Sequence, residues 1–297
     1  MHEVVLMDGG MGQELIRRSG KAPTPLWSAT VMLEQPELVE ALHVDFIQAG
    51  AEVITINAYS STPERLARDA DVSLFDALQT GACEVAQRAR DKAGNDKVRI
   101  AGCLPPLVAS YRPDLAPGTE RSLQLYRQIC DMQARHVDLF LCETMASQAE
   151  AVTAAGAACE TGLPTWLALT LDDRNPQKLR GGDDLSDVLA ALRELPLQGL
   201  LLNCSRPETI EAAWQTLIAG TEFPVGAYAN GFTAIDALQP GGTVSSLQAR
   251  NDLPPEHYAD FAMRWVTQGA SMVGGCCEVG PEHIACLRRR LDERSGS

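Results

Sequence analysis

The alternation of short apolar runs with segments of helical periodicity constrains the fold of this chain most. Eight runs of β-branched or apolar residues recur along the sequence: Val4–Met7, Val53–Ile56, Val98–Ala101, Leu139–Cys142, Thr165–Thr170, Leu200–Leu202, Val225–Tyr228 and Met272–Val273. Runs that alternate with helices predict a parallel sheet. Eight such units in 297 residues favour an α/β fold closed into a single (β/α)8 TIM barrel. The uneven spacing of the runs leaves a doubly wound open sheet as the alternative.

Helical spacing of apolar residues fills the intervals between the runs. The clearest segments are Pro36–Ala49, Ser122–His136, Ala146–Glu160, Leu185–Leu195 and Glu208–Ile218. No shift in composition marks a domain boundary, so we expect one barrel over residues 1–290 and a flexible C-terminal tail over residues 291–297. The polar segment Arg174–Asp184 is interpreted as a loop over the carboxyl end of the barrel.

Charge and composition exclude several functional classes. The net charge is −14 and the pI is about 4.8, which argues against nucleic acid as a partner, because phosphates require a basic surface. No run approaches the roughly 20 apolar residues that span a membrane, and Glu3 stands where a signal peptide needs basic residues. We therefore expect a cytoplasmic protein with small-molecule substrates. A homo-oligomer is compatible with the sequence.

A cytoplasmic location also constrains the nine cysteines. Thiols are kept reduced there, so we expect free thiols and no disulfide framework. Cysteine is among the most frequently buried residue types, and most of these are predicted to fill the core. This interpretation applies to Cys83, Cys103, Cys130, Cys142, Cys159 and Cys286.

The remaining three cysteines follow predicted strands and form a candidate metal site. Cys276 and Cys277 are adjacent, and adjacent side chains of a regular strand point to opposite faces. The glycines at 274 and 275 allow a bend that turns both sulfurs to one point. Cys204 follows an earlier strand on the same rim. Three thiolates around zinc leave an open fourth position, as in catalytic zinc sites, whereas burial in the core is the alternative for each cysteine taken alone.

Four motifs in order resemble one known family. They are MDGGMGQEL at residues 7–15, CETMAS at 142–147, NCSRPE at 203–208 and GGCCEVGPEHI at 274–284. Together they are similar to the homocysteine S-methyltransferase family and cover nearly the whole chain. The resemblance implies a zinc-dependent (β/α)8 barrel that methylates the sulfur of homocysteine to give methionine. It also implies that Cys204, Cys276 and Cys277 are the ligands of Zn2+ and act in catalysis by activating the substrate thiol.

This chemistry explains the residue types. A free thiol has a pKa near 8.5 and is mostly protonated at neutral pH, but its thiolate is the nucleophile. Zinc binding deprotonates it. The amino-acid end of homocysteine must also be held, and the resemblance assigns its ammonium group to Asp8 and Glu143. Gly9 and Gly10 are expected to let backbone amides approach its carboxylate, and Asn57 is expected to line the pocket.

Several alternatives remain open at this stage. Asp8 could instead cap the helix that follows it. Asn203 could orient Cys204, and Trp27 could face the positive charge of the methyl donor or simply pack. The donor is not determined: S-methylmethionine, S-adenosylmethionine, betaine and other methylated cations are all compatible. The acceptor could be another thiol or a selenol, or the protein could bind zinc and thiols without turnover.

Overall fold

The computed structural model describes residues 3–243 and 246–295. Its strands are β1 (Val5–Leu6), β2 (Val53–Thr55), β3 (Arg99–Leu104), β4 (Leu139–Met145), β5 (Thr165–Leu169), β6 (Leu171–Asp172), β7 (Asn175–Leu179), β8 (Gly199–Asn203), β9 (Val225–Tyr228) and β10 (Met272–Val273). Eight of them form one parallel sheet in the order β1-β10-β9-β8-β5-β4-β3-β2. A parallel bridge between Met7 and Val53 joins its two ends. The (β/α)8 barrel is thus confirmed, and the open-sheet alternative is wrong.

Helices cover the outside of this barrel. They are α1 (Met11–Ser19), α2 (Ser28–Glu34), α3 (Pro36–Gln48), α4 (Pro63–Asp69), α5 (Phe75–Ala93), α6 (Thr119–Gln133), α7 (Gln148–Glu160), α8 (Leu185–Leu192), α9 (Pro207–Gly220), α10 (Pro255–Thr267) and α11 (Pro281–Ser295). Five of them begin with proline, whose fixed φ suits the first helical turn and whose missing N–H costs nothing there. Among the described residues, no helix is long and apolar enough to cross a bilayer.

The core has two layers, because side chains alternate across each strand. Leu139 and Leu141 belong to the cluster that fills the barrel interior. Phe140 and Cys142, between and after them, pack in the larger cluster beneath the helices. Since Glu143 continues the alternation of Leu139 and Leu141, its side chain is directed into the top of the barrel.

The segment Arg174–Asp184 differs from its prediction as a loop. Residues 171–172 and 175–179 form the antiparallel pair β6–β7. Polar residues can form such a hairpin because only part of it packs against the rest of the protein. Leu171 and Leu179 are buried in that contact. The polar composition therefore indicated exposure correctly but not the absence of strands.

The C-terminal boundary also differs from its prediction. Helix α11 continues to Ser295, so residues 291–295 are helical and do not belong to a flexible tail. Leu291 is buried against the core, and Arg289 pairs with Glu293 one helical turn later. These contacts hold a segment whose charged composition alone indicated fraying. Residues 296 and 297 lie outside the described part of the chain.

Candidate metal and substrate site

Three cysteines meet at the carboxyl end of the barrel. Cys204 follows β8, and Cys276 and Cys277 follow β10. Their sulfur atoms all lie within 4.8 Å of one another, and those of Cys276 and Cys277 are 4.0 Å apart. The strand ends therefore bring together the three residues that the sequence predicts as ligands. We call them the cysteine cluster.

Two members of the cysteine cluster are covalently paired. Cys204 and Cys276 form a disulfide, with their Cα atoms 5.8 Å apart, whereas Cys277 is free. The expectation of only free thiols is therefore wrong for this pair. It arises because the barrel brings the residues after β8 and β10, which flank β9, within bonding distance. Sulfurs joined in a disulfide are not thiolates, so metal binding by all three cysteines requires that this pair be reduced.

The reduced cluster suits a tetrahedral metal ion. With Zn–S distances near 2.3 Å, neighbouring sulfurs of a tetrahedral site lie about 3.8 Å apart. The separation between Cys276 and Cys277, 4.0 Å, is close to this value. The three sulfur donors come from two loops, after β8 and after β10, and all three residues line the cavity. The donor set therefore fits zinc or a similar thiophilic ion.

Close packing explains the two glycines that precede the cysteine pair. A Cβ atom at Gly275 would lie 2.1 Å from Val279 Cγ1, and one at Gly274 would lie 2.7 Å from Met7 Cβ. The Gly275 N–H donates to the Asp8 carbonyl at 2.9 Å. The glycines thus let the loop after β10 lie against the loop after β1. Neither glycine has a positive φ among the described backbone angles. The close contact between the two loops, and not an unusual backbone conformation, therefore explains glycine at both positions.

Glu143 lies in the cavity beside this cluster. Its Oε1 accepts a hydrogen bond from the Cys103 thiol at 3.1 Å, and its Oε2 accepts one from the Tyr228 hydroxyl at 3.4 Å. Burial raises the pKa of Glu143 to about 7, and these two bonds offset the rise only in part. No cationic side chain of the described residues pairs with this carboxylate, so the arrival of a cation is favoured, because ion pairing would reduce the cost of its desolvation.

Asp8 lines the same cavity. Its Oδ2 accepts a hydrogen bond from the backbone N–H of Thr55 on β2 at 2.7 Å. Helix α1 begins at Met11 with Gly10 as its N-cap and has no side-chain cap, so Asp8 does not cap it. Burial and the nearby charge of Glu143 raise the pKa of Asp8 well above its ordinary value, despite the bond from Thr55. Two buried acidic groups therefore face one cavity.

Gly9 and Gly10 also line this cavity, and the predicted role of the Gly10 amide needs correction. The Gly10 N–H donates to the Val279 carbonyl at 2.9 Å, so it is not free for a substrate carboxylate. A Cβ atom at Gly10 would lie 2.4 Å from the Cys276 carbonyl oxygen, and one at Gly9 would lie 2.1 Å from that of Val279. Both glycines are thus required by the contact with the cysteine loop. The first turn of α1, at residues 11–13, lines the cavity beside them.

Asn57 lines the cavity as expected, and its side chain is held by Ser28. Its Oδ1 accepts from the Ser28 hydroxyl at 2.6 Å, and its Nδ2 donates to the Ser28 carbonyl at 3.3 Å. Trp27 and Tyr59 lie at the same cavity with parallel rings, whose centroids are 6.4 Å apart. Aromatic faces of this kind attract cations.

Sequence reasoning missed several residues of the site. Cys103 lies in the core as predicted, but its thiol also donates a hydrogen bond to Glu143. Gln13 lines the cavity with its amide group buried, and it lies close enough to the Cys277 thiol to lower the pKa of that group. Tyr228 could have been found, since it ends a predicted strand. For Gln13 and Cys103 no local pattern signals the role.

The side chain of Asn203 forms hydrogen bonds with Thr144, whereas the sequence suggested that it could orient Cys204. Its Oδ1 accepts from the Thr144 N–H at 3.1 Å, and its Nδ2 donates to the Thr144 hydroxyl at 3.0 Å. Thr144 has a φ of +63° and lies where the register between β4 and β5 shifts. Asn203 therefore holds the backbone immediately after Glu143, while it directly precedes Cys204.

The fold and the cavity together define a class of protein. A (β/α)8 barrel with nucleophilic and acidic residues at the carboxyl ends of its strands is an enzyme architecture, and the cysteine cluster supplies metal-ligand chemistry. A family model described as homocysteine S-methyltransferase matches residues 5–291. The chain belongs to the homocysteine S-methyltransferase family and is a methyltransferase.

Characterised relatives and solved structures agree with this assignment. The homocysteine S-methyltransferase of Escherichia coli is 32% identical over 97% of this chain and 95% of its own. A selenocysteine Se-methyltransferase of Brassica oleracea is 26% identical over 97% of this chain and 89% of its own. The metallated form of the Escherichia coli homocysteine methyltransferase superposes with a TM-score of 0.81, at 29% identity over 97% of this chain and 96% of that chain. Its oxidised form gives the same TM-score of 0.81, at 28% identity and the same coverage.

Proposed function

We propose that this protein transfers a methyl group from a methylated sulfonium or ammonium donor to the thiol of homocysteine, with zinc held by Cys204, Cys276 and Cys277. The observation that carries the proposal is the position of three convergent sulfurs beside two buried carboxylates in one cavity. The sulfurs suit a metal that binds the substrate thiol, and the carboxylates suit its ammonium group. A cytoplasmic location supports this state, because a reducing compartment keeps the Cys204–Cys276 pair open.

The metal and the substrate thiol would share the cysteine cluster. When bound, zinc would supply a site at which the thiol of homocysteine is held as a thiolate at neutral pH. The residues of the chain position the rest of the substrate. Asn203 fixes the backbone between Glu143 and the next strand, so the ammonium partner and the Cys204 end of β8 keep a constant separation.

The amino-acid end of homocysteine is held by opposite charges. Glu143 and Asp8 accept the ammonium group, and the raised pKa of each carboxylate falls when that cation binds. The substrate carboxylate is placed at the first turn of α1, where unpaired backbone N–H groups and the helix dipole favour an anion. The buried amide of Gln13 in the same turn is a further donor.

The donor enters from the aromatic side of the cavity. Trp27 and Tyr59 present parallel rings there, and Tyr111 also lines it. Attraction between these π faces and a sulfonium or ammonium group would hold the cationic end. Transfer moves the methyl carbon from donor to thiolate sulfur in one displacement, and the leaving donor takes the electron pair of the broken bond.

Product formation across a donor panel tests this function. Reduced, zinc-loaded protein is incubated with homocysteine and, separately, S-methylmethionine, S-adenosylmethionine or betaine, and methionine is measured by mass spectrometry. We expect methionine with at least one donor. The absence of methionine with all three would refute the proposal.

Metal content tests the cysteine cluster separately. Cys277→Ser should lose about one zinc per chain and all methyl transfer. Cys83→Ser is the matched control, because Cys83 is buried on α5 away from the cavity, and it should retain both. Equal zinc content in the two variants would show that the cluster does not hold the metal.

A selenol is the second candidate acceptor. The relative from Brassica oleracea that methylates selenocysteine is 26% identical to this chain, and a selenol would meet the same cysteine cluster and carboxylates. Competition between homocysteine and selenocysteine for a limiting donor measures the preference. A higher kcat/KM for selenocysteine would reassign the acceptor without changing the proposed site.

A further inference from the structure

Arg65 is a buried cation that forms no ion pair with a carboxylate of the described residues. It lies on α4 and is only 7% exposed. Its Nε and Nη2 donate to the Pro106 carbonyl at 3.2 and 3.0 Å, and Nη2 lies 3.4 Å from the Ser110 hydroxyl. Its guanidinium carbon lies 5.1 Å from the centre of the Tyr59 ring. All of these partners are neutral.

The surrounding charges do not neutralise Arg65. Within residues 3–243 and 246–295, no carboxylate lies within ion-pair distance of its guanidinium group. Two acidic groups act on it without forming an ion pair: Asp69, which already pairs with Arg68 through two hydrogen bonds of 2.8 and 2.6 Å, and Glu150, whose pKa Arg65 lowers in part. An arginine remains protonated even when buried. Arg65 thus has no carboxylate in direct contact among the described residues, and a buried cation held only by neutral partners is costly in a protein interior.

The location of Arg65 indicates which kind of ligand would balance its positive charge. Arg65, Arg68, Trp27 and Ser110 line a cleft together with residues 238–242, which we call the arginine cleft. Trp27 and Ser110 also line the cavity of the cysteine cluster. The arginine cleft therefore adjoins the aromatic side of that cavity. An anion in the cleft and a cation against the rings would be parts of one molecule.

We propose that the arginine cleft is an anion subsite in which Arg65 binds the carboxylate of the methyl donor, so that the enzyme selects zwitterionic donors. The inference rests on the proposed function and names the chemical class of its donor. The guanidinium fork matches a carboxylate in two hydrogen bonds. A methylated cation that carries a carboxylate would place its positive end at Trp27 and Tyr59 and its negative end at Arg65.

Matched pairs of donors test this selection. S-methylmethionine is compared with (3-aminopropyl)dimethylsulfonium, and betaine with choline, because the members of each pair differ in the carboxylate. For wild-type protein we expect kcat/KM to be at least tenfold higher for the carboxylated member of a pair that is used. Arg65→Met should lower kcat/KM for carboxylated donors roughly 10- to 150-fold, the range for one lost charge-assisted contact. It should change the values for the other donors less than threefold.

Control variants separate binding from structural effects. Arg112→Met removes an exposed arginine that pairs with Asp114 on the loop after β3, and it should leave both donor classes unchanged. Arg65→Lys keeps the charge but not the fork, so a smaller loss limited to carboxylated donors is expected. This variant decides the question if Arg65→Met fails to fold. An equal loss for donors with and without a carboxylate would assign Arg65 to support of residues 106–110 and overturn the subsite.

Calorimetric titration of betaine and choline into the protein measures the same preference without turnover. Tighter binding of betaine in the wild type, lost in Arg65→Met, supports the arginine cleft even if no methionine forms. Equal affinity for betaine and choline, or betaine binding that Arg65→Met leaves unchanged, refutes it. The absence of methionine with every donor would refute the proposed function instead, so the two failures are distinguishable.

Discussion

Replacement of Glu143 by glutamine tests the proposed ammonium site most directly. The amide has almost the shape of the carboxylate and can keep one bond from Cys103 or Tyr228, so the change removes mainly the negative charge. A hydrogen bond to a charged group contributes about 1.5–3 kcal/mol. Because Asp8 remains as a second acidic partner, we expect a loss of about 2 kcal/mol, or roughly a 30-fold rise in the KM for homocysteine.

The assay measures initial rates of methionine formation at pH 8 with saturating donor. At that pH a carboxyl group with a pKa of about 7 is mostly ionised, so the wild type displays the full effect of the charge. Calorimetric titration of homocysteine separates binding from chemistry, since KM equals the dissociation constant only when chemistry is slow. The expected change is in KM, with kcat less affected.

Glu150→Gln is the matched control. Burial raises the pKa of Glu150 also to about 7, but this carboxylate accepts from the Ala146 N–H and lies outside the cavity of the cysteine cluster. We expect its replacement to lower the melting temperature and leave KM within twofold of the wild type. A homocysteine KM for Glu143→Gln within twofold of wild type, with normal zinc content, would refute the assignment of the ammonium site.

Three further outcomes follow from the same contacts. The kcat/KM for homocysteine should rise as the pH rises through about 7, because the pKa of Glu143 lies there and only its ionised form pairs with ammonium; a pH–rate profile in which Glu143→Gln keeps this step would contradict it. Cys103→Ala removes a hydrogen bond that lowers the pKa of Glu143, so the step should move to higher pH, and a shift to lower pH would exclude that role. Gly10→Ala would place a Cβ atom 2.4 Å from the Cys276 carbonyl and should destabilise the fold by about 1–3 kcal/mol with loss of zinc. Its control, Gly156→Ala, is in a helix with no atom within 4 Å of the new Cβ and should stabilise by about 0.5–1 kcal/mol; thermal unfolding compares the two, and equal melting temperatures would refute the packing argument.

Local patterns determine much of this protein without reference to its tertiary structure. The predicted strands Val225–Tyr228 and Met272–Val273 agree with β9 and β10 at both ends, since short apolar runs between turn residues have few other ways to bury their side chains. Glu143, near the end of β4, and Cys204, directly after β8, lie at the one rim where the sequence predicts them. In a parallel barrel all strand ends share that rim, so chain position alone is sufficient.

Contacts between segments that are far apart in the sequence depend on the tertiary structure of the barrel. Gly10 was expected to bind substrate, but its amide is occupied by Val279, which lies more than 260 residues further along the chain. The thiol of Cys103 reaches Glu143 from the neighbouring strand, and nothing in its own segment distinguishes it from the cysteines of the core. The positive charge of Arg65 is likewise unremarkable in the sequence, where acidic residues lie nearby. Burial and direction of side chains depend on packing between elements, and a local pattern does not contain that information.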